Sequence, residues 1–351
     1  MLNFLLIFIP IAVGLEHFAP EKHSWIFVVS GLAIIPLAGL MGRATEHLAE
    51  RTGEGIGGLL NATFGNAAEL IIALAALRSG LYDVVKASIV GSIIGNILLV
   101  LGASMLAGGL KITEQRFNAL AARSQATMLT LAVIALIVPA AYRAALGEAA
   151  AASLDKISVA IAVVLLLAYA LDLVFSLITH KRFFMGNSHD ENEPGQAQWS
   201  LSKSSGILAG TTVLIAWMSE ILVGTIEPAA HELGMNNLFV GVFVVAILGN
   251  AAEHSAAVLA AMKNRMDLSL SIAIGSSVQV ALFVAPLLVL LSHYLGPHPM
   301  NLAFGPGLVL VMFLSILIAG QVAGDGESNW LKGVQLIAVY VILGIVFFFC
   351  P

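Results

Sequence analysis

The pentapeptide Gly65-Asn66-Ala67-Ala68-Glu69 recurs letter for letter as Gly249-Asn250-Ala251-Ala252-Glu253, 184 residues later, and both copies sit within long apolar stretches. Carried on without a gap, the same offset pairs Asp83 with Asp267, Gly91 with Gly275, Ser92 with Ser276, Leu98 with Leu282 and Val100 with Val284. Composition alone would not hold that register, so the chain reads as two copies of one unit. Of the 351 residues, 59% are hydrophobic and only 11% are charged, against roughly 25% charged in a soluble protein. Several apolar runs approach or exceed the roughly 20 residues that span a bilayer core as helix. The fold class is therefore an all-α polytopic membrane protein.

This composition excludes a soluble enzyme, a nucleic-acid binder and a disordered scaffold. With 16 basic and 21 acidic residues the formal net charge is −5, so no global basic field exists to capture a polyanion. The single cysteine, Cys350, supports neither an intrachain disulfide nor a paired-thiol metal site. The apolar run from Leu2 to Ala19 has no basic residue before it and no clear cleavage site, and reads as a first membrane helix rather than a secretory signal.

Cutting at polar and turn residues predicts about eleven helices, near 2–18, 24–50, 55–79, 83–109, 117–141, 156–180, 203–231, 237–264, 267–295, 301–321 and 329–350. This divides the chain into an extra first helix (1–22), a five-helix unit (23–180), an acidic linker (181–202) and a second five-helix unit (203–351). An odd number of crossings per unit inverts the second copy relative to the first. On this topology eleven of the sixteen Lys and Arg residues fall on one side, among them Arg43, Arg51, Lys111, Arg116, Lys181, Lys263 and Arg265. That side is expected to be cytoplasmic, which puts the N-terminus inside and the C-terminus outside a cell membrane.

A carboxylate inside a membrane helix costs roughly 2.5 to 3.5 kcal/mol on insertion scales, so it faces a cavity or a partner. A lone intramembrane glutamate has a structural reading as well, bonded to a neighbouring helix, but a matched pair in inverted repeats points to a substrate site at the repeat interface. Asn66 lies three residues before Glu69 and shares its helix face, as Asn250 does with Glu253, so each copy is expected to present a carboxylate and an amide carbonyl together. The glycine and alanines keep the surface small enough for close helix approach. Two carboxylates and two amide oxygens make a hard site of charge −2 that suits Ca2+. Magnesium fits less well, and manganese remains open. Without the metal, two neighbouring carboxylates in a poorly solvated pocket favour proton uptake, so the same groups could exchange one Ca2+ for protons.

Other polar positions rank lower. Ser92 and Asn96 in the fourth helix, and Ser276, Ser277 and Gln279 in the ninth, are expected to line the same cavity or to bridge helices. Glu220 and Glu46 are candidate pathway acids, with Glu220 favoured because its neighbours Trp217 and Ile221 look embedded, while Glu46 is also read as solvated or paired with Arg43. Asp83 and Asp267 begin helices and read as capping residues. His254 points about 100 degrees away from Glu253, which favours packing or hydrogen bonding over ligation.

At the paired motifs the sequence resembles the CAX family of Ca2+/H+ antiporters, within the cation/Ca2+ exchanger superfamily. The resemblance covers nearly the whole chain, including the segments Gly91-Ser92 and Gly275-Ser276-Ser277-Val278-Gln279 and the acidic stretch between the sixth and seventh helices. It implies that Glu69 and Glu253 carry Ca2+ and protons with Asn66 and Asn250 assisting, and that Glu220 and Glu46 lie along ion or proton passages. It also implies that Asp190, Glu191 and Glu193 gather or sense cytosolic Ca2+, with a solvated linker an equally good reading of that short run. Sodium-coupled relatives typically carry proline before the motif glutamate, where this chain has Ala68 and Ala252, which favours protons. The function expected is a secondary antiporter exporting cytosolic Ca2+ against protons by alternating access, not an enzyme. It would need no cofactor beyond the transported ions and no nucleic-acid partner, and its oligomeric state is left open. A Na+/Ca2+ exchanger is the runner-up and a passive cation channel the contrasting class. An ATP-driven pump is disfavoured, because no phosphate-binding loop of the Walker type is present.

Overall fold

In lipid, a backbone must satisfy its own polar groups, so the apolar segments can only be helices or a closed barrel. The computed structural model describes residues 2–52, 54–180 and 199–350 and is almost entirely helical. Helix α1 starts as a 3-10 turn, Leu2–Ile7, and continues through Phe8–Phe18. There follow α2 (His23–Thr52), α3 (Glu54–Phe64), α4 (Ala67–Arg78), α5 (Tyr82–Gly109), α6 (Ala119–Leu146) and α7 (Ser153–Thr179). The second half holds α8 (Leu201–Gly224), the short α9 (Ile226–Glu232), α10 (Asn237–Met262), α11 (Met266–Leu295), α12 (Pro306–Asp325) and α13 (Trp330–Phe348).

Nine of the described helices are long and apolar enough to cross a membrane. The difference from the expected eleven lies in α1, which is shorter, and in the predicted helix over 55–79, which is broken at Gly65-Asn66 into α3 and α4. The second copy of the motif stays helical through Gly249 and Asn250. The flanks differ: Gly53, Gly55, Gly57 and Gly58 precede the first copy, where each glycine costs a helix about 1 kcal/mol, whereas valines and Phe243 precede the second. The predicted helix over 203–231 likewise ends at Gly224, just before Pro228 and α9.

Elsewhere the 184-residue offset is written into the backbone. Helices α4 and α10 end at matched residues, Arg78 and Met262, and α5 and α11 begin at matched residues, Tyr82 and Met266. Both α5 and α11 widen into a π turn at the same repeat position, Gly95–Val100 and Val280–Val284. Such turns insert one extra residue and re-aim the side chains around them.

Burial sorts the helices into a centre and a rim. In the most apolar window of each, 83% of α5, 67% of α11 and 61% of α2 is buried, against 28% of α6, 22% of α13 and 17% of α7. Val163, Val164, Leu167, Leu171, Val174 and Ile178 are exposed along one side of α7, at the spacing of a lipid-facing stripe. At one end of the bundle a two-residue antiparallel pairing, β1 (Gln115–Arg116) with β2 (Glu327–Ser328), ties the loop after α5 to the loop after α12. Asp267 accepts the backbone N–H of Asn118 at 2.6 Å, so this carboxylate joins the starts of α11 and α6 rather than capping its own helix.

Candidate functional site

The centre is built where α4, α5, α10 and α11 meet. Glu69 sits in the first turn of α4, immediately after the Gly65-Asn66 break, and is buried. Its Oε1 accepts hydrogen bonds from the Ser92 hydroxyl of α5 and the Asn250 amide of α10. The Asn250 amide also reaches Ser92 Oγ at 3.1 Å. On the other side, the Ser276 hydroxyl of α11 donates to Asn66 Oδ1 at 3.0 Å, and the Asn66 amide donates to Gln279 Oε1 at 2.5 Å. Asn96, in the π turn of α5, donates to Ser276 Oγ at 3.1 Å. Its carbonyl lies 3.2 Å from His254 Nε2. The Ser277 hydroxyl donates to Ala273 O in its own helix at 3.0 Å and approaches Ile93 O of α5 at 3.4 Å, so it braces the two central helices.

The two motifs interlock through their first and last letters. A methyl group built at Gly249 would lie 2.8 Å from Glu69 Cγ, and one built at Gly65 would lie 3.4 Å from Glu253 Oε1. Gly249 thus makes room for the other motif's glutamate, while Gly65 is kept small chiefly by Asn61 O, 2.8 Å from such a methyl, with Glu253 Oε1 at ordinary contact distance. Glu69 Oε2 and Glu253 Oε2 are both buried without a hydrogen-bond partner. A buried carboxylate oxygen lacking a donor is costly unless a cation or proton satisfies it.

One expectation needs correcting. Asn250 offers Glu69 its NH2 group and not its carbonyl, and the Asn66 carbonyl is engaged by Ser276. A carboxylate oxygen can only accept, so the amides turn their donors toward it. Metal ligation by Asn250 therefore requires its amide to reorient, whereas Asn66 Oδ1 keeps a second lone pair beside the Ser276 donor.

Access to the two carboxylates is unequal. A cavity of about 600 Å³ runs between α2, α3 and α10 and ends on Glu253, with Arg43, Glu46, Asn61 and Ser255 among its walls. Glu46 is exposed to it, one of the two pathway acids expected from sequence. Toward the opposite end Glu69 borders a void of about 20 Å³, walled mostly by apolar residues such as Ile72, Ile89 and Val284. Glu220 lies elsewhere: it is 62% exposed and sits 3.4 Å from Arg78, bridging α8 to α4, and it lines neither space. Embedded-looking neighbours misled here because Glu220 lies within a turn or so of the α8 terminus. Asp190, Glu191 and Glu193 lie outside the described residues. Among the described residues no group of three or more His, Cys, Asp or Glu is placed to hold a metal ion, and the unpartnered carboxylate oxygens at the centre belong to Glu69 and Glu253.

A family model described as sodium/calcium exchanger protein matches residues 22–178 and 203–349. The chain belongs to that family. It is 46% identical to a Ca2+/H+ antiporter of Aphanothece halophytica, over 99% of this chain and 96% of that one. It is 43% identical to a Ca2+/H+ antiporter of Bacillus subtilis, over 92% of each. A solved structure of native YfkE superimposes with a TM-score of 0.85 at 38% identity, covering 100% of both chains. These likenesses put the chain in the Ca2+/H+ (CAX) branch of the family, and they agree with its helical, multi-pass architecture.

Proposed function

We propose that the chain exports cytosolic Ca2+ in exchange for protons by alternating access, at a midplane site built from the two GNAAE motifs. What carries the reading is the meeting of Glu69 and Glu253 at interlocked motifs, each keeping one buried carboxylate oxygen bare of donors. Family membership and antiporter relatives at 43% and 46% identity support Ca2+/H+ exchange. Ca2+ draws the two glutamates together as a charge of −2, Asn66 supplies its amide oxygen, and Asn250 supplies its own once it turns. When Ca2+ departs, two buried carboxylates need protons to remain in a poorly solvated place. Ser92, Ser276 and Gln279 orient these groups, and Asn96 with His254 braces Ser276.

In this reading eleven crossings form an extra helix and two inverted five-helix units, 23–180 and 203–351, joined by an acidic linker at 181–202. The basic end bearing Arg43 faces the cytoplasm, the N-terminus lies inside and the C-terminus outside. The cavity past Glu46 is then the cytosolic route to Glu253, and acidic residues 190, 191 and 193 gather or sense cytosolic Ca2+. No cofactor takes part.

The test is flux in proteoliposomes. An imposed pH gradient is expected to drive Ca2+ uphill, and an imposed Na+ gradient is not. Uphill Ca2+ movement driven by sodium alone overturns the proton assignment, and flux that never exceeds equilibrium replaces exchange with a channel. Glu69→Gln and Glu253→Gln are each expected to abolish exchange, since neither carboxylate alone supplies the charge. Normal exchange in either variant removes the shared site.

A further inference from the structure

A second polar crevice, of about 240 Å³, approaches the centre from between α6, α7 and α11. Its walls include Asn61, Gln125, Asp172, Ser176, Ser271 and Gln279. The repeat makes its location meaningful. A methyl group at Gly91 would collide with the Val242 backbone of α10, whereas one at the matched Gly275 would meet only Gln125 Nε2, at 3.5 Å. The position that is sealed in the first unit is open in the second.

Asp172 is the carboxylate on this wall. It is half-buried, about 10 Å of helix rise from the end of α7 at 1.5 Å per residue, on the face opposite the lipid-facing stripe. An acidic residue at such a depth marks an ion or proton path by default. The inner end of the crevice is Gln279, which accepts from Asn66 at 2.5 Å. Gly65 touches both sides of this partition: from a methyl built there, Glu253 Oε1 would be 3.4 Å away and Gln279 Oε1 3.7 Å. Asn61 lines both the crevice and the large cavity, so the two spaces reach the site from the same end of the molecule.

We propose that the two spaces divide the traffic, with Ca2+ arriving through the large cavity past Glu46 and protons leaving through the crevice with Asp172 as relay. The inference rests on the exchange reading above. A proton released from the site as Ca2+ binds passes to water at Gln279, then to the Asp172 carboxylate, and from there to the cytosol; Asp172 ends each cycle as it began. A single carboxylate among amides and hydroxyls suits a proton better than a divalent ion, which collects several charged oxygens. Around Asp172, α6 presents Gln125 and Met128, α11 presents Ser271, Val278 and Gln279, α3 presents Asn61, and the other titratable wall residue is Tyr169 on its own helix.

The experiment uses the full chain in proteoliposomes with a pH-reporting dye and radiolabelled Ca2+, reading Ca2+/H+ exchange and Ca2+/Ca2+ self-exchange side by side. Asp172→Asn is expected to slow Ca2+/H+ exchange at least about tenfold, a floor below the roughly 100- to 10,000-fold that a positioned proton carrier contributes, and to leave self-exchange, which moves no net proton, unchanged. Asp172→Glu is expected to restore the coupled rate. Equal loss of both modes, or full retention of both, overturns the relay. To separate relay from misfolding, Ser271→Cys is combined with Cys350→Ser and treated with a bulky thiol reagent after reconstitution. Blocking is expected to lower the coupled rate alone, and an unchanged coupled rate in the labelled protein overturns the crevice route. Failure of the parent exchange reading is distinct, because the unmodified chain would then show no proton-coupled Ca2+ flux.

Discussion

At the scale of single residues, the decisive contacts are between a glycine and a carboxylate. Gly249 is small because the Glu69 side chain occupies the place a Cβ would take. Gly249→Ala is expected to displace the Glu69 carboxylate and to lower exchange by at least about tenfold, the cost of losing some 1.4 kcal/mol of site geometry, whereas Gly210→Ala, with open space around it, leaves transport unchanged. Flux assays on the two variants check this. Ser92→Ala removes one donor from Glu69 and leaves Asn250, and is expected to change apparent Ca2+ affinity while retaining exchange, read from a Ca2+ titration of flux. The identities of these residues were legible in the sequence, because a repeated pentapeptide in an apolar helix has few bland explanations. Their partners were not. Spacing shows which residues share a helix face, but not that a glycine of one motif faces the glutamate of the other 180 residues away in sequence, nor which end of an asparagine amide points inward.

At the scale of elements, two ties hold helices at the end opposite the large cavity. Lys86 of α5 is buried and donates to Asn301 Oδ1 and Ala303 O, both at 2.9 Å, pinning the loop between α11 and α12. Asn301→Ala leaves that buried ammonium short of an acceptor and is expected to cost about 1–3 kcal/mol, seen as a lower Tm in detergent. At the start of α2, Ser24 donates its hydroxyl at 2.5 Å and its N–H at 3.2 Å to Glu232 of α9. These bonds, the hydroxyl above all, hold the exposed Glu232 carboxyl below the usual glutamate range. The folded state favours the ionised form, so this tie is fully present above the ordinary glutamate value of about 4.3 and is lost as pH falls through the lowered one. Ser24→Ala is expected to return the titration of Glu232 upward, measured by carbon NMR of the labelled carboxyl. Helix existence was read correctly for the long apolar segments, and the division at Gly65-Asn66 was read as a continuous helix because periodicity does not register a one-turn break. The π turns of α5 and α11 carry no letter of their own and were invisible for the same reason.

At the scale of the whole molecule, Glu253 borders a large cavity and Glu69 a small void. With Cys350→Ser as background, a cysteine at Ala256, on the wall of the large cavity, is expected to react with a membrane-impermeant thiol reagent applied from the Arg43 end. A cysteine at Ala73, beside the small void, is expected to stay unreacted until the transport cycle opens the other end. Equal labelling of both under one condition removes the alternating-access description. The 184-residue offset was legible in the sequence, while the inequality between its matched positions was not. A self-similar sequence gives no reason for Gly91 to be sealed and Gly275 open, and that difference arises only when the copies pack against each other.

The crossed glycines also bear on how such a chain can change over generations. Gly249 leaves the space that Glu69 of the other motif fills, and Gly65 lies within contact distance of Glu253. A larger residue at Gly249 displaces a side chain of the distant motif, so the two segments are bound to a shared history: their walls and loops are free to diverge, but the letter one lends to the other is not.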